Sequence, residues 1–137
     1  MSDSADVAGL SALMPFTESI GVEITAASAA EVRGRLPWAP ERCTTGGMLH
    51  GGAIMTLADA LGGVCAFLNL PPGANTSTIE SKTNFFRAVR SGAANAVTAP
   101  IHVGRSTIVV QTDVRDDAGS RVALVTQTQA VILARGD

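Results

Sequence analysis

Tyrosine is absent, tryptophan occurs once, and aromatic residues make up 4% of the 137 residues. A pocket in this chain is therefore expected to be lined by Leu, Met, Val, Phe and Ala rather than by aromatic walls. Only two cysteines occur, Cys43 and Cys65; they are far apart and form no C-x-x-C pair. That excludes a disulfide framework and a cysteine-built zinc site, and it is the usage expected of free thiols in a reducing, cytoplasmic compartment. Basic residues are not in excess: ten Lys and Arg against twelve Asp and Glu leave a formal charge of −2, which offers no global attraction to nucleic acid or an anionic membrane. The best uninterrupted apolar run, Ala60 to Leu68, falls short of the ~18 residues of a membrane span, and Asp3 and Asp6 stand where an export signal would be basic. Charged residues are scarce as well, 16% against 46% hydrophobic with a mean hydropathy of +0.27. That balance is too apolar for a disordered chain and for the surface of a small monomer, and a subunit interface would absorb the excess. The length suits one domain over residues 1–137, with residues 1–8 as a loose tail.

Leu10, Leu13 and Met14 suggest a short helical turn halted by Pro15. Segments 19–26 and 30–36 read as a strand pair ending at Pro37, followed by a loop from Trp38 to Gly47. From Gly52 to Asn69 the residues Ile54, Leu57, Ala58, Leu61, Val64, Cys65 and Leu68 recur at helical spacing, and Pro71-Pro72-Gly73 ends the pattern. Four strand-like stretches follow, at 77–89, 93–103, 106–116 and 120–133, the last two joined by the turn Asp116-Asp117-Ala118-Gly119. This order predicts an α+β fold: an antiparallel sheet of about six strands wrapped around one long helix, the only element apolar enough to cover the sheet.

Three features could hold chemistry. Between Arg42 and Glu80 the only formally charged side chain is Asp59, inside the apolar helix. Such an Asp either finds donors and a shifted pKa or sits at the edge of the apolar stripe facing solvent. Gly46-Gly47-Met48-Leu49-His50-Gly51-Gly52 runs into the helix start, where backbone N–H groups and the positive end of the helix dipole suit a phosphate or an oxyanion. It is no nucleotide loop, because Gly52 stands where the phosphate-binding Lys would be. From Ser81 to Thr112 no acidic residue occurs while Lys82, Arg87, Arg90 and Arg105 do, which suits a phosphorylated ligand or scattered solvated strand ends. The turn Gly104-Arg105-Ser106-Thr107 could present backbone donors and a guanidinium together.

Leu49-His50-Gly51-Gly52 followed by Leu57-Ala58-Asp59 resembles the H-G-G-x6-D signature of hotdog-fold acyl-CoA thioesterases of the phenylacetate-pathway and 4-hydroxybenzoyl-CoA type. Thr78-Ile79-Glu80, Asn84-Phe85-Phe86-Arg87 and His102-Val103-Gly104-Arg105-Ser106-Thr107 extend the likeness over roughly residues 15–133. The resemblance implies a hotdog fold and homodimers, often paired as homotetramers, with acyl-CoA bound at the subunit interface. It implies Asp59 as general base or nucleophile, Gly51 N–H as the oxyanion donor and His50 as a group shaping the site. Thr78 or its neighbour Ser77 would supply a hydroxyl near the attacking water. Arg87, Arg90, Gly104, Arg105, Ser106 and Thr107 would hold the CoA. At the position six before His50, where relatives commonly carry Asn or Gln, this chain has Thr44, a shorter side chain with one donor for which a water could bridge to the same atom.

The chemistry agrees: a thioester carbonyl turns into an oxyanion on attack, and a placed amide and a placed carboxylate serve it without metal or cofactor. If Gly51 opens the helix, Asp59 lies about 12 Å along its axis, so the two would meet only across a twofold. A Ser-His-Asp hydrolase is disfavoured, since no G-x-S-x-G occurs. Two rivals on the same scaffold are a non-catalytic acyl-CoA binding module and a hydratase or dehydratase, the latter lacking a second placed His.

Overall fold

A computed structural model of the chain describes residues 5–135. Two short helices, α1 (Val7–Ala12) and α2 (Pro15–Ser19), precede β1 (Glu23–Ala27) and β2 (Val32–Pro37). Two single 3₁₀ turns, Pro40–Arg42 and Thr45–Gly47, lead into α3 (Gly51–Leu68). Strands β3 (Asn75–Phe85), β4 (Ala93–Val103), β5 (Thr107–Arg115) and β6 (Arg121–Ile132) complete the chain. The six strands form one antiparallel sheet in the order β1-β2-β4-β5-β6-β3. This is the sheet around one long helix that the patterning predicts.

Four expectations change at the ends of elements. Pro15 does not simply halt a turn; it opens α2 at the position where proline's missing N–H costs nothing. The first strand consequently starts at Glu23 rather than 19. The expected loose tail is helical from Val7, and the Ala5 amide donates to the Ala27 carbonyl at 2.8 Å; its first four residues lie outside the described ones. The stretch 77–89 is a strand only to Phe85, because the Phe86 and Arg87 amides both turn to the Val122 carbonyl and Leu49 N–H takes the Val89 carbonyl.

The core lies between α3 and the concave sheet face. Leu57, Leu61, Ala58 and Cys65 of α3 are fully buried against Val32 and Leu36 of β2, Ile108, Val110 and Val114 of β5, and Val122 and Val125 of β6. Side chains alternate along each strand, so Asp113 and the Arg115 and Arg121 that clamp it at 2.8 and 3.0 Å fall on the outer face. Burial alone would raise the Asp113 pKa, but those two guanidinium groups hold it below the usual carboxylate range. The sheet leaves one stripe of α3 open at a spacing of four: Met55, Asp59, Gly63 and Phe67. Its 18 residues, with a single charge, are long and apolar enough to cross a bilayer, a property the run of Ala60 to Leu68 understates. Here that apolarity is spent on the sheet, which buries half of the helix.

Candidate active site

The N-terminus of α3 has an unusual distribution of amides. The Ala53 and Ile54 amides both donate to the His50 carbonyl, at 2.9 and 3.2 Å, and the Gly52 amide donates to His50 Nδ1 at 2.8 Å. Gly51 N–H is the first-turn amide left without an acceptor among the described residues. It sits at the positive end of an 18-residue helix, where an anion or developing oxyanion is favoured. Because Nδ1 accepts, the neutral His50 ring has its proton on Nε2, free to donate outward. A cleft of about 340 Å³ opens here, lined by Thr44, Met48, Leu49, Gly51, Ile54, Phe85, Phe86 and Arg87. Thr44 N–H donates to the Met48 carbonyl at 2.9 Å. Arg90 Nη1 donates to the Gly46 carbonyl at 2.7 Å, which ties the glycine loop to the basic segment.

Asp59 projects from the open stripe two turns further on, so both alternatives left by its helical position hold in part. It faces away from the sheet's apolar wall, yet it is half enclosed and has a donor. Burial pushes its carboxyl above the usual carboxylate range, and a hydrogen bond from Gln127 Nε2 to Oδ1 at 2.7 Å opposes that rise. On the neighbouring strand the Thr78 hydroxyl accepts from Gln129 Nε2 at 2.8 Å. Thr78 pairs with Gln129 in the ladder and Ser77 with Ala130, so Thr78 faces α3 while Ser77 faces the opposite side.

The chain therefore divides its candidate residues into two groups. Thr44, His50, Gly51, Arg87 and Arg90 gather at the α3 N-terminus. Asp59 and Thr78 lie on α3 and β3 towards the other end of the sheet, where Thr107 and Ile108 pair with Ala130 and Gln129. The turn of Gly104, Arg105 and Ser106 is at that end too, closed by Gly104 N–H to the Thr107 carbonyl at 2.9 Å. Arg105 follows β4 and Arg90 precedes it, so the 11-residue strand separates them by about 35 Å. One chain does not bring the three arginines onto one small ligand.

Composition and motif reading missed Gln127 and Gln129. Both are 1% exposed and reach the two reactive candidates from β6. A signal was there: the period-two alternation through Val125, Gln127 and Gln129 places two amides on the face that elsewhere takes Val.

A profile for the thioesterase superfamily matches residues 46–123, more than half the chain. The chain belongs to the thioesterase superfamily, a family of thioester hydrolases. A candidate esterase of Haemophilus influenzae is 30% identical over 82% of each chain. The 1,4-dihydroxy-2-naphthoyl-CoA hydrolase of Escherichia coli is 30% identical over 63% of each. A candidate esterase of Vibrio cholerae is 37% identical over 65% of this chain, a match spanning 59% of that relative's length. The crystal structure of a Haemophilus influenzae thioesterase superposes with a TM-score of 0.89 at 27% identity, covering 96% of this chain and 94% of that one. The hotdog fold and the thioesterase family expected from the H-G-G-x6-D pattern stand. The narrower phenylacetate-pathway or 4-hydroxybenzoyl-CoA type is not what these matches single out.

Proposed function

We propose that the protein hydrolyses an acyl-CoA thioester to the free acid and CoA, in a site shared by two copies of the chain. The observation that supports it is the division of α3: an amide without an acceptor at its first residue and a carboxylate with a raised pKa eight residues on. Those two groups are about 12 Å apart along the helix, so a second copy has to supply one of them. The edge strand β3 offers the place, with 11 residues and one side of its backbone outside the sheet. Ile79, Phe85 and Phe86 on and beside it are 62%, 47% and 60% exposed, and a homodimer across this edge, paired further into a homotetramer, would cover them.

In this reading Gly51 N–H and the helix dipole take the oxyanion of the tetrahedral intermediate, and His50, whose Nδ1 accepts from the Gly52 amide, shapes the helix start that presents them. Asp59 removes the proton of the attacking water, or attacks the carbonyl itself and is released by water. Thr78 donates its hydroxyl proton to the same water. Thr44, which lines the same cleft as Gly51, bridges to the thioester through a water. Arg87 and Arg90 of one copy and the Gly104–Thr107 turn with Arg105 of the other hold the CoA phosphates. The acyl group has an apolar recess of about 210 Å³ lined by Leu10, Leu13, Met14, Gly63, Val64 and Phe67. The Escherichia coli relative named for a naphthoyl-CoA supports a CoA thioester as substrate class.

Free-thiol release from phenylacetyl-, 4-hydroxybenzoyl-, hexanoyl- and lauroyl-CoA, by wild type and Asp59→Asn side by side, tests the reading. Release that Asp59→Asn loses supports it. A folded Asn variant with unchanged turnover removes Asp59 from the chemistry, and saturable CoA binding without release from any substrate makes the chain a binding module.

A further inference from the structure

The four buried polar residues of the described chain are Thr98, Thr112, Gln127 and Gln129. Thr98 and Thr112 bond each other across β4 and β5 at 2.6 Å. The two glutamines behave differently. Each sends its Nε2 out of the core to one half-exposed group, Gln127 to Asp59 and Gln129 to Thr78. Gln129 Oε1 shares the one proton of the Thr76 hydroxyl, 3.1 Å away, with the Ala130 carbonyl at 2.8 Å. Gln127 Oε1 has no such donor; it is buried without a partner among the described residues, an arrangement that costs about 1–3 kcal/mol. Gly62 of α3 makes the arrangement possible, because any Cβ there would overlap Gln127 Oε1.

A valine at 127 would be the cheaper residue for the fold, as Val125 is two positions earlier. An amide kept there with half its capacity unused serves its one partner. We propose that Gln127 is a positioning residue that fixes the Asp59 carboxylate through Oδ1 and leaves Oδ2 for the reaction, and that Gln129 does the same for the Thr78 hydroxyl. The Gln129 N–H occupies a lone pair of Thr78 Oγ1, so the hydroxyl proton points away from Gln129, toward the open side. The β-bulge at Ile79 matters to this geometry: it breaks the ladder register between Thr78 and Glu80, so Thr78 faces Gln129 while Ser81 three residues on faces Gln127. The inference rests on the reading of Asp59 and Thr78 as reactive groups, and part of its test does not.

The comparison between variants isolates Gln127, because the charges that a second copy would bring to Asp59 in the proposed shared site, those of His50, Arg87 and Arg90, are the same in all of them. The ionisable groups on the strands and on α2, which pack on α3, are Glu18, Glu23, Arg33, Arg35, Glu80, Lys82, His102, Asp113, Arg115 and Arg121. None contributes to the Asp59 shift, which comes from burial opposed by Gln127. Gln127→Met keeps length and volume and deletes the donor. Following the Asp59 carboxyl by ¹³C NMR against pH, the variant should titrate at higher pH than wild type. The acid limb of kcat/KM should move the same way, kcat should fall about ten- to hundredfold as for a lost bond to a charged group, and KM should hold within about twofold. Gly62→Ala, whose Cβ displaces the same amide with every polar group retained, should reproduce the shift and stands in if Gln127→Met does not fold. Thr98→Val removes a buried hydrogen bond elsewhere and should lose stability without moving the titration. Gln129→Met should lower kcat and leave the Asp59 titration where it is. An unmoved Asp59 titration in folded Gln127→Met or Gly62→Ala overturns the proposal, and so does an equal shift in Thr98→Val. A moved titration in a protein without thiol release upholds the positioning and overturns the proposed activity instead.

Discussion

Two chains disabled at the start and at the middle of α3 should restore each other's activity when they are mixed. Gly51→Pro deletes the one amide assigned to the oxyanion, at the first helical position, where proline is tolerated. His50 before it sits at φ −62°, ψ 133°, the extended region that a residue preceding proline favours. The Phe85 ring, 3.3 Å from where a Cβ on Gly51 would lie, has only to yield a few tenths of an ångström. Loss of that donor should lower kcat about 10²- to 10³-fold, and Asp59→Asn should lower it about 10²- to 10⁴-fold. At about 1.36 kcal/mol per factor of ten, the latter is about 2.7–5.4 kcal/mol of barrier.

In the proposed shared site the two defects fall in different copies of the chain. A hybrid dimer then contains one site with both wild-type groups and one with neither. Random exchange of equal amounts gives about half hybrids, so about one quarter of wild-type activity should return from two nearly inactive parents. Joint unfolding in urea and refolding makes the mixture, ion exchange resolves the hybrid by the single charge that separates the parent chains, and thiol release measures it. A mixture shown to contain hybrids, with activity no higher than its parents, would refute the reasoning and return Gly51 and Asp59 to separate roles.

Asp59→Asn should also separate stability from turnover. A carboxyl whose folded pKa is raised by burial adds stability that is complete below its unfolded pKa and fades as pH rises through the folded one, so in urea melts the Asn variant should gain on wild type across that window, from about pH 4 upward. A wild-type advantage at neutral pH would contradict this. Arg87→Ala, at the mouth of the Gly51 cleft, should raise KM for a CoA thioester about tenfold, one charge-assisted contact of about 1.4 kcal/mol, and leave an N-acetylcysteamine thioester, which has no phosphate, unchanged. Cys65 is fully buried and its thiol is pushed up to about 11, so a thiol reagent at pH 8 should label at most Cys43 in the folded chain and both cysteines in denaturant.

The fold was legible because its strongest signals are long. Eighteen residues at helical spacing closed by two prolines, and a hairpin turn between two alternating runs, leave few other arrangements of one helix and six strands. The ends were less legible, since they are decided by single bonds that pattern does not contain. Phe86 and Arg87 have the apolar and long side chains of a continuing strand, yet β3 stops because their amides turn to Val122. Pro15 reads as a stop from one side and as a helix start from the other, and only the Glu18 amide bonding back to the Met14 carbonyl decides between them.

For the site, the sequence showed what was exceptional in kind and missed what was exceptional only in place. Asp59 stands out as a lone charge in an apolar helix, and Gly51 as part of a glycine run before one. Gln127 and Gln129 are ordinary residues for a strand, and nothing marks them until the alternation of β6 is set against the helix it faces. Their meaning depends on Gly62, sixty-five positions earlier in the chain than Gln127, whose missing Cβ reads equally well as helix–sheet packing. The same limit applies to α3 as a whole. Eight residues between an amide and a carboxylate fix a distance too long for one thioester, so the geometry that defeats a site within one chain is what the proposed twofold-related copy would overcome. The family resemblance suggests the dimer, and the helix rise gives the physical reason for it.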